Sequence, residues 1–79
     1  MNNVTHISWH NKYEKPEPGT KCVVLCDYDL GKELEFATWA QQYEGANGWG
    51  FQRVDGGGFI PPSCVLDWAS LAHDIEFPK

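Results

Sequence analysis

The sequence predicts a small all-β domain. Three observations carry this: a chain of only 79 residues, a β-branched and apolar run at Cys22-Val23-Val24-Leu25-Cys26, and Gly- and Pro-bearing turns spaced between alternating segments. The expected architecture is an antiparallel meander of four to five strands, strongly twisted or partly rolled into a barrel.

His6-Ile7-Ser8-Trp9 reads as a short strand, because β-branched and aromatic residues fit a half-buried pleat. Residues 11–20 hold Pro16, Pro18 and Gly19 among charged residues and read as a loop. Lys21 to Tyr28 is the clearest strand. Its apolar centre is continuous, which predicts burial on both faces and a central place in the sheet. Asp27 to Lys32 carries hairpin-turn chemistry, with Gly31 free to take positive φ.

Glu33 to Tyr43 fits either period. Read as a strand, it sends Leu34, Phe36, Thr38 and Ala40 one way and Glu35, Ala37, Trp39 and Gln41 the other. Good helix formers are present too, but the flanking turns suit a meander, so strand is expected. Residues 44–48 form a loop, Trp49 to Val54 a strand, and Asp55-Gly56-Gly57-Gly58 a turn. Pro61-Pro62 excludes regular ladder pairing. Cys64 to Leu71 reads as the last strand, with Val65, Asp67 and Ala69 opposing Leu66, Trp68 and Ser70. One domain spans residues 1–79, its core about residues 6–71, with 72–79 a loose tail or an edge strand.

Such a short chain buries only about 60% of its unfolded surface, so total stability of roughly 4–12 kcal/mol is expected. Four Trp, four Phe and three Tyr compensate, since each ring can bury roughly 150–250 Å². The net charge is −5, and the six Lys and Arg are dispersed along the sequence. Phosphate neutralisation needs a concentrated positive face, so no direct nucleic-acid partner is expected. Three cysteines, an odd number, do not suit a disulfide framework. With neither a charged leader nor a membrane-length apolar run, a cytoplasmic protein without membrane contact is expected.

His6-x3-His10 and Cys22-x3-Cys26 resemble metal-ligand pairs. Zinc requires its ligands within about 2.0–2.3 Å of one centre. Positions four apart on a strand lie about 13 Å apart, so neither pair can chelate one ion or, for the cysteines, form a disulfide. Buried Cys22 and Cys26 acting as small hydrophobes is the expectation. Cys64 with His73 and Asp74 could make a nucleophilic set, but no elbow or oxyanion nest accompanies Cys64. Gly56-Gly57-Gly58 lacks the Lys-Ser/Thr and helix of a phosphate loop. Asp27, Asp29, Glu33 and Glu35 lack calcium-loop spacing. No cofactor and no catalytic residue is expected.

The order of Ile7-Ser8, Pro18-x-x-Lys21 beside Gly19, Val23-Val24-Leu25, Trp49-Gly50 and Val65-Leu66-Asp67-Trp68-Ala69-Ser70-Leu71 resembles a short phage- and prophage-borne domain of unknown function. The likeness runs over about residues 7–71. His6 stands where that family carries Trp, Asp67 where it carries His, and Ala69 to Ala72 replace Met-Pro-Leu-Pro. The resemblance implies an accessory protein of a mobile element in a bacterial cytoplasm and transfers no active site.

The resulting expectation is a non-enzymatic protein-binding module of phage type. It would inhibit a host defence or nucleic-acid-handling protein, in the anti-CRISPR or anti-restriction manner, by covering a basic surface. Asp27, Asp29, Glu33 and Glu35 would supply charge; Tyr43, Trp49 and Phe59 would be the aromatic anchors. Two alternatives stand beside it: a small metal- or thiol-dependent protein using Cys26, Cys64 and the histidines, and a homo-oligomeric accessory protein pairing through exposed strand edges.

Overall fold

The computed structural model describes residues 6–76. Seven strands follow in order: β1 (His6–Ile7), β2 (His10–Asn11), β3 (Lys21–Tyr28), β4 (Gly31–Gln41), β5 (Trp49–Arg53), β6 (Val65–Ser70) and β7 (Ile75–Glu76). Single 3₁₀ turns at Ala46–Gly48 and Pro62–Cys64 lead into β5 and β6. The fold is all-β, as expected.

Five strands form one antiparallel sheet in the order β2-β6-β3-β4-β5, and β1 pairs with β7 in a second, two-stranded sheet. The main sheet is open, with β2 and β5 at its edges, and does not close into a barrel. Only β3, β4 and β5 follow one another as a meander. After β5 the chain crosses over, and β6 inserts between β2 and β3.

β3 sits at the centre with the boundaries its sequence predicts, and both Val23 and Val24 are buried. The following turn closes at Asp29 and Leu30, and Gly31 takes φ +129, a conformation L-residues rarely adopt. Period 2 governs β4. Ala37 and Trp39 are buried while Leu34 and Phe36 are exposed, so the inward face is the odd-numbered one.

Register assembles the core on that face. Cys22 lies opposite Ala37, Val24 opposite Trp68, and Trp39 opposite Phe51. In β6, strict alternation would put Val65 and Trp68 on opposite faces. A bulge between the Leu25–Asp67 and Cys26–Val65 pairs absorbs the extra Leu66, so both side chains join one core. Ile60, from the segment following the glycine turn, is 2% exposed and completes it.

The expected tail resolves into two parts: Ile75–Glu76 is the edge strand β7, and residues 77–79 lie outside the described residues. The expected strand from His6 to Trp9 is shorter. His6–Ile7 is β1, paired with β7, Ser8 and Trp9 are not strand, and β2, paired with β6 in the other sheet, begins just beyond at His10.

Candidate functional site

Two exposed regions lie at opposite ends of β4, and the predicted binding residues divide between them. The first is the β3–β4 hairpin. β6 pairs with β3 only from Cys22 to Cys26, and β5 pairs with β4 only from Ala37 to Gln41. Residues 27–32 therefore project beyond both flanking strands, while residues 33–36 of β4, paired with the β6-flanked part of β3, extend past β5 alone; this end of the hairpin is the arm. Among the described residues no strand pairs with the outer edge of β4 from Gly31 to Glu35.

Asp27, Asp29 and Glu33 are exposed on this arm. Leu30 at its tip is fully exposed, and Leu34 and Phe36 on the outward face are more than half exposed. Val54, whose backbone N–H donates to the Phe36 carbonyl, extends that apolar surface. The arm thus carries three carboxylates: Asp27 on the same face as the apolar strip, Asp29 in the turn, and Glu33 on the opposite, odd-numbered face. Alternation already aligned Leu34 with Phe36 in the sequence, but the inward face was not identifiable there.

Glu35 plays another part. Its carboxylate accepts Arg53 Nε at 2.7 Å and Arg53 Nη2 at 3.4 Å, and the Tyr28 hydroxyl also donates to it. Arg53 reaches further, donating to the carbonyls of Gly57 and Phe59 and to the Tyr28 oxygen. Arg53 holds the Glu35 carboxyl below the usual carboxylate range, against the opposing effect of burial, and Tyr28 adds to this. The bond to Glu35 pushes the Tyr28 hydroxyl up to about 12. Glu35 is a half-buried structural anchor that ties β4, β5 and the 55–59 turn together. Its expected place in an exposed acidic surface is corrected accordingly. Arg53 is the chain's sole arginine, and that was the available signal.

The second region is a cleft of about 430 Å³ over the inward face of the sheet. Trp39, Phe51 and Ile60 lie at its base, with Trp49 and Asn47 along one side. The Trp39 and Trp49 indoles are near parallel, 18° apart in plane with centroids 6.4 Å apart, and Phe51 meets Trp39 edge-on at 4.9 Å. The facing wall is the β2–β3 loop with Lys12, Tyr13 and Lys15.

That loop is tied down. The Trp68 indole N–H donates to the Glu14 carbonyl at 2.8 Å, and the Glu14 carboxylate meets His10 Nδ1 at 2.8 Å. Lys15 Nζ stands 5.8 Å from the Trp39 ring centroid and Lys12 Nζ 5.5 Å from that of Tyr13. This cleft is not legible in the sequence, because its facing walls come from segments more than thirty residues apart.

The three predicted aromatic anchors do not join the acidic arm. Tyr43 is exposed beyond the far end of β4, its hydroxyl donating to the Asn47 carbonyl. Trp49 is half-buried at the cleft, and Phe59 is half-buried in a bridge to Gln52. By strand rise, the ends of β4 are roughly 33 Å apart. One continuous acidic and aromatic surface is not formed by these seven residues.

Cys22 and Cys26 are fully buried on β3, and desolvation pushes both thiols up to about 11. Cys64 is half-buried where the 3₁₀ turn enters β6. Asp74 accepts His10 Nε2 at 2.9 Å and the Ser70 backbone N–H at 2.8 Å, so its carboxylate is committed to the fold beside His10. His73 is exposed. Among the described residues no three His, Cys, Asp or Glu side chains gather as metal ligands would, and no helix is long and apolar enough to cross a membrane.

The fold and its surfaces define a small all-β domain with a projecting hairpin and a separate aromatic cleft. No protein-family model matches the chain, and neither a curated protein nor a solved structure matches it.

Proposed function

We propose that the chain is a non-enzymatic protein-binding module that docks through its β3–β4 arm onto a partner with a basic surface. The observation that carries this reading is the coincidence of exposed Leu30, Leu34 and Phe36 with exposed Asp27, Asp29 and Glu33 on a strand pair extending past its neighbours. Apolar side chains in contact with water supply the association energy, and the carboxylates steer the arm towards Arg and Lys. The open edge of β4 offers backbone donors and acceptors for strand addition. The partner is a bacterial host protein, a defence or nucleic-acid-handling factor whose phosphate-binding surface the arm covers. This makes the chain an anti-CRISPR-like or anti-restriction-like accessory protein of a mobile element.

The test is affinity capture from bacterial lysate with the intact chain and with Phe36→Asp, whose side chain already faces solvent. A partner retained by the parent at low salt, released at high salt and lost with Phe36→Asp is the expected result. Equal capture by both proteins, or capture by neither, overturns the reading. A second reading is a homo-oligomer. The outward face of the arm also carries Lys32, the cross-strand neighbour of Asp27, and the two would pair reciprocally with those of another copy. Light scattering that gives a dimer mass, lost in Phe36→Asp, would favour it.

A further inference from the structure

The cleft at the other end of β4 has a charge balance opposite to that of the whole chain. Two of the six basic residues, Lys12 and Lys15, stand at its wall, and no carboxylate lines it. Among the described residues neither ammonium forms an ion pair; the Glu14 carboxylate between them is taken by His10. In a chain of net charge −5, this is a local positive site opening onto indole rings.

From this juxtaposition we propose that the cleft binds a small planar aromatic ring carrying a phosphate monoester, in the manner of a free nucleoside monophosphate. The ring stacks in the cleft against Trp49 and Tyr13. The phosphate sits between the Lys12 and Lys15 ammoniums, with Asn47 and Ser63 as neutral polar neighbours.

Four arguments converge. The volume of about 430 Å³ lies within the roughly 300–1,000 Å³ range of small-molecule sites. The base is aromatic and apolar, which suits a base or similar ring. The cations are lysines, point charges suited to a phosphate oxygen, whereas planar carboxylates favour the arginine fork. Two ammoniums also match the charge of about −1.5 to −2 on a phosphate monoester at neutral pH. A long polyanion is disfavoured, because beyond the cleft it would meet the acidic remainder of the surface.

The inference does not depend on the hairpin reading, since the two surfaces lie at opposite ends of β4. It is tested on the full chain by following tryptophan indole N–H resonances during titration with adenosine or guanosine monophosphate. Inorganic phosphate, adenosine and a single-stranded oligonucleotide serve as parallel probes. Saturable shifts at Trp39 and Trp49, with Trp9 unmoved, are expected for the monophosphates, and weaker ones for phosphate or nucleoside alone. Lys12→Ala with Lys15→Ala, both on exposed positions, should weaken binding by about tenfold or more, as loss of a charge-assisted contact does.

Shifts at Trp9 equal to those at Trp49 would mean adsorption to exposed indoles and would overturn the proposal. So would absence of saturation at millimolar nucleotide, or undiminished binding by the folded double variant. Tighter binding of the oligonucleotide than of any monophosphate would likewise reject a mononucleotide site.

Discussion

His10 lies flat against Trp68, their ring centroids 4.4 Å apart and their planes 22° from parallel. The pair is a cross-strand neighbour pair of β2 and β6. It fixes both ends of a short polar chain: His10 bridges the Glu14 and Asp74 carboxylates, while Trp68 holds the Glu14 carbonyl. The edge strand, the cleft wall and the turn before β7 therefore share one imidazole.

Stability should fall as pH rises through the titration of that imidazole. The hydrogen bond to Glu14 raises the His10 pKa above 6.5, with Asp74 adding to it against some loss from desolvation. A group whose folded pKa is raised contributes fully below its unfolded value, and the contribution disappears as pH passes the folded one. Denaturant unfolding from pH 6 to 9 should show a decline in the parent protein that is flattened in His10→Gln. An unchanged slope in that variant would exclude His10 as the source.

The Arg53–Glu35 pair predicts the opposite dependence in acid. Glu35 titrates below its ordinary value of 4.5, so its stabilisation is present above that value and is lost as pH falls through the folded pKa. Arg53→Ala should cost about 2–3 kcal/mol, the range for charge-assisted hydrogen bonds in a partly buried setting. Urea titration at neutral pH measures the cost. Glu35→Gln should lose part of the acid-limb slope while keeping the fold.

The thiols should separate by accessibility. Cys22 and Cys26 are buried and titrate near 11, so at pH 8 they should not react with an aromatic disulfide reagent until the chain unfolds. Mass spectrometry after brief labelling should find modification confined to Cys64. Native-state labelling of Cys26 would show that the β3–β6 pairing opens locally.

Gly48→Ala should be destabilising although Gly48 is not in a left-handed conformation. A Cβ there would overlap the Tyr43 carbonyl, a backbone group that cannot rotate away. The Gly48 carbonyl also accepts the Gln42 N–H at 2.6 Å, so the turn into β5 would have to shift. A loss of about 1–3 kcal/mol is expected, as for other overpacking, and thermal unfolding followed by circular dichroism would measure it.

The strands were legible where local pattern decides them. Cys22 to Cys26 announced a doubly buried strand, and Gly31 announced its turn. The insertion of β6 between β2 and β3 was not legible, because strand order depends on contacts between residues more than forty positions apart. The bulge at Leu66 hid for a related reason: it appears only when β6 is set against β3. Glu35 was grouped with Glu33 by composition, yet its partner Arg53 arrives from β5. Lys12, Tyr13 and Lys15 looked like an ordinary charged loop, and only the tertiary fold sets them facing Trp39 and Trp49.

The pairing of His6 with Glu76 brings the two ends of the described chain side by side, next to the Lys21 end of β3, where the Leu71 N–H meets the Lys21 carbonyl. The tip of the arm lies at the other end of β3, roughly 25 Å away by strand rise. A short linker could therefore join the ends in a circular permutant, with new termini opened in the glycine turn at residues 56–58. Whatever is joined to the domain at His6 or at Glu76 starts from one pole, and Leu30 points into solution at the other.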